Sequence, residues 1–392
     1  MEVFGPEHEY SLVDRHLHPM PITDQVIKEL KGRIVNVVNL KNYSFGKELQ
    51  SHVAELKANT PFSSPVMFEE QMYKAVQEVT EFVERKHDAH LLGTGMHPLL
   101  QLDEAKVWSH RDRKLYDVLD RLFNLHQHGW LNIQSFQLNL SYGNEEDAIR
   151  LHNSLTNLLP YIPAISASSP VYEAKLGEYV DNRLHFYWIN QRAIPSITGD
   201  VIPEYVNSFK DYRRITINRY SEDLQKIGAP EFLLRREWLN SRGAIFRFDR
   251  KAIEIRVMDE QECIKADVAL SCFTRACLRG MLLQNDPYLP YNLLVQDLTS
   301  VIKEGLEATV QHTKGPTARD VCKYYYRIAM ENASVEEKAY LPLVKTRIEE
   351  GNLSNLIRKA ILKKEQKTNL QEAIIKVYLK LVDCLAENRM YS

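Results

Sequence analysis

Residues 3–12 read VFGPEHEYSL, and polar and apolar side chains alternate along much of this segment. In an extended chain Glu7 and Glu9 fall on one side, whereas His8 and Tyr10 fall on the other. Successive side chains of a β-strand point to opposite faces, so this period of two predicts a strand. We therefore expect the segment to lie in a sheet with one apolar face and one face that carries carboxylates.

Two later segments repeat the alternation. In FQLNLSY the polar residues Gln137, Asn139 and Ser141 share one side, and in AIEIRV the residues Glu254 and Arg256 do so. The pattern predicts an α+β fold with a largely antiparallel sheet that has one polar face. That face could simply meet water. Paired carboxylates, amides and an arginine on short strands instead favour a surface for metal and phosphate.

The second part of the chain has a different character. Beyond about Asp259 the pattern is almost wholly helical, and Ser334-Val335-Glu336-Glu337 forms a capping box that marks a helix start. Turn residues interrupt the helices near Asn285-Asp286-Pro287. We therefore expect a first domain over 1–285, which carries the polar face, and a helical C-terminal region over 286–392 packed on it.

The composition argues against several classes of partner. The 392 residues include 50 Lys and Arg against 52 Asp and Glu, so no global basic field is present to hold a nucleic acid or an anionic membrane. The start, MEVFGPEHEY, lacks the pattern of a signal peptide, and no stretch approaches the roughly 20 apolar residues of a membrane span. We expect a cytoplasmic protein. The five cysteines lack CxxC spacing and are expected to be reduced core thiols.

The segment 47–61 adds two carboxylates but leaves its local structure open. Glu48 and Glu55 are seven positions apart, so a helix would place them on one face with His52. If the segment ends in a strand, Glu55 and Lys57 share a face instead. Taken alone, the segment is typical of an ordinary solvated helix.

The carboxylates and arginines of these segments suggest phosphoryl chemistry. Separated carboxylates such as Glu7, Glu9 and Glu254 are the hard oxygen donors that nucleotide-bound magnesium prefers. Arg256 lies beside Glu254, so a metal and a guanidinium could neutralise the same phosphoryl group, although a structural ion pair is an alternative. Arg247 alternates with two phenylalanines and is expected to face the same interior. Most of the arginines around it are expected to be solvated.

Seven segments in this order resemble the glutamate-cysteine ligase type 2 family of carboxylate-amine ligases, within the glutamine synthetase superfamily. They are 5–9 (GPEHE), 48–61, 93–98 (GTGMHP), 137–140 (QLNL), 166–170 (SASSP), 179–183 (YVDNR) and 254–259 (EIRVMD). No single segment is decisive, but their shared order makes a strong match. The helical remainder is much less specific.

The resemblance implies a catalytic ligase domain over 1–285, in which a curved antiparallel sheet forms a funnel that holds ATP and Mg²⁺. The implied metal ligands are Glu7, Glu9, Glu48, Glu55, Gln137 and Glu254. Arg256 and Glu254 are implied as catalytic, with Arg256 contacting the transferred phosphoryl group. Arg183 would hold a substrate carboxylate, and Asn139 and Arg247 are further expected substrate-binding residues.

One strand departs from the commonest family pattern. Many relatives have histidines in an H-x-H-x-G strand, where this chain has Gln137, Asn139 and Ser141. A Gln-x-Asn version resembles the plant and proteobacterial ligases of the wider group, so activity need not be lost. Gln137 would offer the metal a neutral oxygen, which magnesium tolerates well.

The implied activity is ATP-dependent formation of an amide, expected to be a γ-glutamyl bond, through an acyl phosphate. The partners would be a small-molecule carboxylate, with glutamate as the expected acid, and an amine. Cysteine is the family's best-known acceptor, but no residue here can be tied to thiol recognition. A homodimer is one option for assembly. Two alternatives stay open: a phosphotransferase resembling the guanidino kinases, and a member of the fold without turnover.

Overall fold

The computed structural model describes residues 1–234, 236–284 and 286–392. Its strands are β1 (Phe4–Val13), β2 (Val37–Asn39), β3 (Tyr43–Lys47), β4 (Val53–Ala58), β5 (His90–Leu92), β6 (Ser135–Ser141), β7 (Val171–Tyr172), β8 (Lys175–Leu176), β9 (Ala244–Arg247) and β10 (Ala252–Asp259). Its α-helices are α1 (Thr23–Lys31), α2 (Pro65–His87), α3 (Arg113–Phe123), α4 (His128–Leu131), α5 (Glu145–Leu158), α6 (Ile162–Ser166), α7 (Asn182–Ile189), α8 (Pro195–Thr198), α9 (Phe209–Tyr212), α10 (Arg219–Lys226), α11 (Ile264–Gln284), α12 (Tyr291–Glu304), α13 (Ala318–Asn332), α14 (Val335–Glu350), α15 (Leu353–Glu365) and α16 (Leu370–Ala386).

The main sheet runs in the order β2-β3-β4-β1-β6-β10-β9, and its neighbouring strands are antiparallel. Strand β5 pairs with the end of β1, beyond the reach of β6. Pleat alternation buries Phe4, His8 and Tyr10 completely on the face that is opposite Glu7 and Glu9. The predicted α+β fold, its antiparallel sheet and the three predicted strands are confirmed.

The prediction of a solvated helix over 47–61 is wrong. Strand β3 ends at Lys47, a turn follows, and β4 begins at Val53. Strand β4 is hydrogen-bonded to β1 on one side and to β3 on the other, and Leu56 is fully buried. This tertiary pairing outweighs the helical propensity of the local sequence. The alternative, in which Glu55 and Lys57 share a strand face, is correct.

Helix α11 follows the sheet and joins it to the C-terminal helices. It is buried around most of its circumference, as its largely apolar sequence requires, and it packs against α2, α5, α13 and α14. The main hydrophobic core continues from the sheet into these C-terminal helices, which confirms the helical C-terminal part. Asn285, at the expected boundary, lies outside the described residues, so the division into two domains stays a prediction.

Several smaller expectations are also confirmed. Ser334 Oγ accepts the Glu337 N–H at 3.2 Å, and Glu337 accepts the Ser334 N–H at 2.7 Å, which is the predicted capping box at the start of α14. The five cysteines are buried and free. Across the three described ranges, each helix is too short or too polar to cross a bilayer.

Candidate active site

The polar face of the sheet gathers side chains from neighbouring strands. On β1, Glu7 lies opposite Lys57 of β4 and Gln137 of β6. Two positions further along β1, Glu9 lies opposite Glu55 of β4. Opposite residues of antiparallel strands point to the same face, so register alone brings these side chains together.

The same face continues across β6, β10 and β9. Asn139 lies between Gly5 of β1 and Glu254 of β10, and Arg247 of β9 reaches Glu254. Arg256 donates to Glu254 from two positions along β10. The predicted site residues that this face brings together are Glu7, Glu9, Glu55, Gln137, Asn139, Arg247, Glu254 and Arg256.

Glu9 and Glu55 form the acidic half of the face, together with Glu48, which directly follows β3. Burial and the charge of Glu55 raise the pKa of Glu9 to about 7. Burial and the nearby Glu9 raise the pKa of Glu48 to about 7. Burial and the charge of Glu48 raise the pKa of Glu55 to about 8, and the charge of Lys57 only partly offsets this increase. Carboxylates that repel one another in this way attract a divalent cation.

Backbone and amide groups orient the acidic half. Glu9 Oε2 accepts the Ser135 N–H at 2.7 Å, and Glu9 Oε1 accepts from Gln137 Nε2 at 2.9 Å. Gly46 lies opposite Glu55, and a Cβ on Gly46 would stand 3.0 Å from Glu55 Oε2. A side chain at position 46 would therefore press on this carboxylate.

Glu7 and Glu254 form a second half of the face, in which each carboxylate is paired with cations. Lys57 Nζ lies 2.7 Å from Glu7 Oε2, and Arg250 forms an ion pair with Glu7 Oε1. Burial raises the pKa of Glu7, but Lys57 and Arg250 lower it by more, so it lies well below its usual range. Arg247 Nη1 lies 2.5 Å from Glu254 Oε2.

Lys57 connects the two halves. Its ammonium lies 2.6 Å from Glu55 Oε1 as well as 2.7 Å from Glu7 Oε2. One lysine thus compensates part of the charge in each half. The predicted set of metal ligands is therefore divided by the structure into an acidic group and a cation-paired group.

A cavity of about 390 Å³ opens at the end of the polar face where β1 begins. Its polar lining includes Glu7, Lys57, Asn139 and Arg250. Asn139 Nδ2 donates to Glu7 Oε1 at 3.0 Å, whereas its buried Oδ1 has no hydrogen-bond partner among the described residues. The cavity thus presents two cationic groups, both paired with Glu7, whereas the Asn139 carbonyl oxygen is shielded from it.

Arg183 is almost completely buried beside Asp259, which lies opposite Ser135 on this face. Its Nε forms an ion pair with Asp259, and its Nη2 donates to the Arg256 carbonyl at 3.3 Å. Asp259 also accepts the Ser168 N–H at 2.7 Å, and a Cβ on Gly95 would collide with it at 2.4 Å. Arg183 therefore has a structural partner, and its expected contact with a substrate carboxylate stays a prediction.

The expectation that most arginines near β9 are solvated holds for Arg236 and Arg250, which are exposed, but not for Arg242. Arg242 is 1% exposed and pairs with Glu204, with Nη2 lying 2.7 Å from Oε1. Arg250 forms an ion pair with Glu7 while 38% of its side chain stays exposed. Arg235 lies outside the described residues. Arg250 lies in the turn between β9 and β10, where strand alternation no longer predicts the direction of a side chain, so the sequence carried little signal for its contact with Glu7.

Lys57, Gly46 and Asp259 were not predicted as site residues. Lys57 had a signal, because it alternates with Glu55, whereas the closeness of Gly46 to Glu55 depends on the pairing of β3 with β4. Asp259 belongs to the matched EIRVMD segment but carries no expected role there.

The donors of the acidic half fit a divalent cation by type and charge, since carboxylate and amide oxygens are the ligands that magnesium prefers. The carboxylate oxygens of the acidic half are spaced more widely than the ligands around a bound ion. Among the described residues, the oxygens of Glu9, Glu48 and Glu55 do not all lie within 4.8 Å of one another. Binding an ion would therefore require side-chain rotations.

Comparisons with known proteins agree with the sequence motifs. Residues 3–377 match the family model described as Glutamate-cysteine ligase family 2. An "Uncharacterized protein" of Archaeoglobus fulgidus is 46% identical over 389 residues, which cover 99% of this chain and 100% of the relative. A "Putative glutamate--cysteine ligase 2-1" of Rubrobacter xylanophilus is 23% identical over 336 residues, which cover 81% of this chain and 79% of the relative.

Two solved structures share the fold. The crystal structure of a glutamate–cysteine ligase from Francisella tularensis in complex with AMP has a TM-score of 0.68 at 14% identity, and the match covers 100% of this chain and 89% of that chain. The crystal structure of a bifunctional glutathione synthetase from Pasteurella multocida has a TM-score of 0.64 at 13% identity, and the match covers 97% of this chain and 52% of that chain.

Proposed function

Because the chain belongs to glutamate-cysteine ligase family 2, we propose that it is an ATP- and magnesium-dependent ligase that joins the side-chain carboxylate of glutamate to an amine. The observation that carries this proposal is the division of the polar face. An acidic group suited to a divalent cation lies beside arginines suited to phosphate, on one face of one sheet.

Amide formation needs an activated acid. A free carboxylate does not acylate an amine at neutral pH, because its leaving group would be oxide or hydroxide. In the proposed reaction a carboxylate oxygen attacks the γ-phosphorus of ATP, and the bond to the bridging oxygen breaks to release ADP. The amine nitrogen then attacks the acyl carbon of the resulting acyl phosphate, phosphate leaves, and the nitrogen loses its proton.

Each half of the polar face has a proposed role. Glu9, Glu48 and Glu55, with the carbonyl oxygen of Gln137, would hold Mg²⁺, which neutralises phosphate charge when bound. Glu7 and Glu254 are the remaining proposed metal ligands. Their cationic partners must then turn partly towards the triphosphate, which competes for the same positive charge.

Arg256 is the proposed catalytic arginine. Glu254 holds the Arg256 guanidinium on the polar face before substrate binds. A positive charge that is positioned in advance stabilises a phosphoryl group during its transfer.

Three residues are proposed to bind the amino-acid substrate. Asn139 Oδ1 can accept a hydrogen bond from a substrate ammonium group, provided that the side chain rotates to expose this buried oxygen. Arg247 and Arg183 can pair with substrate carboxylates, provided that they share or exchange their present partners Glu254 and Asp259. The choice of amine, with cysteine as the first candidate, depends on contacts beyond these residues.

Hydroxylamine tests activation of the acid without knowledge of the amine, because it intercepts acyl phosphates. With purified protein, Mg-ATP, glutamate and hydroxylamine, we expect γ-glutamyl hydroxamate together with ADP and phosphate, measured by mass spectrometry and phosphate release. Glu254→Gln should abolish the product. Arg214→Lys, an exposed substitution outside the site, is the matched control and should keep it.

The other outcomes separate the alternatives. Hydroxamate from a different carboxylic acid would keep the ligase and replace glutamate. A phosphorylated guanidino product without hydroxamate would indicate a kinase. Absence of ATP consumption with a broad set of acids and amines would indicate a member of the family without turnover.

A further inference from the structure

A buried cluster of three titratable side chains lies on the opposite side of β1 from the polar face. His8 points to this side, Glu260 follows the end of β10, and Asp267 lies in the first turn of α11. All three side chains are completely shielded from solvent. The cluster is separate from the proposed ligase site, although Glu260 Oε2 accepts the backbone N–H of Glu9 at 3.1 Å.

The cluster has few hydrogen-bond donors for its two carboxylates. His8 Nδ1 lies 3.2 Å from Glu260 Oε1 and 3.4 Å from Asp267 Oδ2, and one ring nitrogen carries at most one proton for the two carboxylates. Asp267 Oδ1 has no hydrogen-bond donor among the described residues, and His8 Nδ1 is the donor nearest to Oδ2. An ionised carboxylate that is buried without such partners destabilises the folded protein by on the order of several kcal/mol.

The geometry of the cluster matches a metal-binding site. One nitrogen or oxygen atom from each of the three side chains lies within 4.8 Å of the others. Ligands at about 2.1 Å from a tetrahedral ion stand about 3.4 Å apart, which is close to the two distances from His8 Nδ1. A small contraction would therefore complete the three contacts.

We propose that His8, Glu260 and Asp267 bind a divalent transition-metal ion, of which Zn²⁺ is the best fit. One imidazole and two carboxylates are typical ligands of zinc, whereas magnesium prefers oxygen ligands alone. A dipositive ion also balances two buried carboxylates beside a neutral imidazole. The hydroxyl of Tyr10 is also buried and interacts with Glu260, and it is the candidate fourth ligand.

This ion would have a structural role that does not depend on the ligase activity. It would join β1, the end of β10 and the start of α11, and through Glu260 it would support the backbone of Glu9. Because the site is enclosed, the ion would enter during folding and exchange slowly in the native protein.

Metal analysis of the full chain tests the proposal. Protein made in zinc-supplemented medium is dialysed against EDTA, which removes ions from exposed sites, and is then analysed by inductively coupled plasma mass spectrometry. We expect close to one zinc, or a competing manganese or iron ion, per chain. Unfolding in guanidinium with a chromogenic chelator should release the same amount.

Matched variants locate the ion. Asp267→Asn removes one ligand at nearly constant volume and should reduce retained metal to a small fraction of the wild-type amount. Asp297→Asn is the control, because Asp297 is also buried but accepts from Tyr161 Oη and the Gln311 N–H, both at 2.6 Å. Glu254→Gln, on the polar face, should also keep the metal.

The decisive result does not require the variants to fold. Wild-type protein that retains no transition metal, even after refolding with Zn²⁺, would overturn the proposal and indicate that Glu260 and Asp267 share a proton instead. Equal metal retention by Asp267→Asn would likewise overturn the assignment to this cluster.

Discussion

Arg256 donates its Nε–H to Glu254 Oε1 at 2.6 Å from two positions further along β10. Arg247 approaches the other oxygen, Oε2, at 2.5 Å. Since Glu254 is completely buried, its carboxylate positions two guanidinium groups on the polar face. The pair is both the predicted active-site contact and a structural ion pair, so function has to be separated from stability by experiment.

Arg256→Lys should separate the two roles. Lysine keeps the charge but loses the planar fork, so we expect kcat for hydroxamate formation to fall about 100-fold or more, with a smaller change in KM for ATP. Steady-state kinetics measure both parameters, and Arg214→Lys is the exposed control. A kcat near that of the wild type would leave Arg256 with a structural role only.

Glu48→Gln and Glu254→Gln should change stability in opposite directions without metal. Glu48 sits among repelling carboxylates, so its neutralisation should raise the free energy of unfolding at pH 8 by about 1 kcal/mol. Glu254 is the buried partner of two arginines, so its neutralisation should lower that free energy by about 3 kcal/mol. Chemical denaturation without divalent ions measures both.

The same two variants also test the metal assignment. Mg-ATP should raise the melting temperature of the wild type more than that of either variant, because a ligand that binds the native state stabilises it according to its affinity. Equal stabilisation of all three proteins would remove Glu48 and Glu254 from the nucleotide-metal site.

Gly46→Ala should weaken metal binding while preserving the fold. The added Cβ would stand 3.0 Å from Glu55 Oε2, the end of a flexible side chain, so the carboxylate should move and the backbone should stay. We expect the Mg²⁺ concentration needed for half-maximal activity to rise about tenfold, for a loss of about 1.4 kcal/mol. In a Glu55→Gln background the same change should have little further effect, because neighbouring substitutions are coupled.

Arg183→Lys should lower stability because it disrupts a buried pair. Loss of the Nε contact to Asp259 should reduce the free energy of unfolding by about 3 kcal/mol, and Asp259→Asn should cost a similar amount. If Arg183 also holds the substrate carboxylate, KM for glutamate should rise more in Arg183→Lys than in Asp259→Asn. Matching KM values in the two variants would count against the substrate role.

His152 should make the fold sensitive to acid. Burial lowers the pKa of His152 to about 4 in the native state, against its ordinary value of 6.5. Between these values the unfolded chain binds a proton that the native state excludes, so stability is lost as pH falls. From pH 7 to pH 5 the wild type should lose about 2 kcal/mol more than His152→Gln, measured by urea denaturation. Equal losses would mean that the pKa of His152 is the same in the native and unfolded states.

The strands and the face that carries the chemistry were predictable from the sequence. Alternation along β1, β6 and β10 depends on neighbouring residues alone, so it assigned Glu7, Glu9 and Glu254 to strand faces without knowledge of the fold. Local signals failed over 47–61, where an Ala-Glu-Leu-Lys pattern suits a helix but two partner strands impose β4.

The amino-acid sequence by itself determined the family, the α+β class and the residue types available for phosphate and metal. Only the tertiary structure decided how charges are paired on the polar face. Lys57 meets both Glu7 and Glu55, and Arg250 reaches Glu7 from a turn, because strand register and the path of the β9–β10 turn bring together residues that are far apart in the chain. Alternation of side chains is a local property of an extended backbone, whereas strand register is set by the packing of the whole core. The alternation pattern alone therefore could not predict the division into acidic and cation-paired halves.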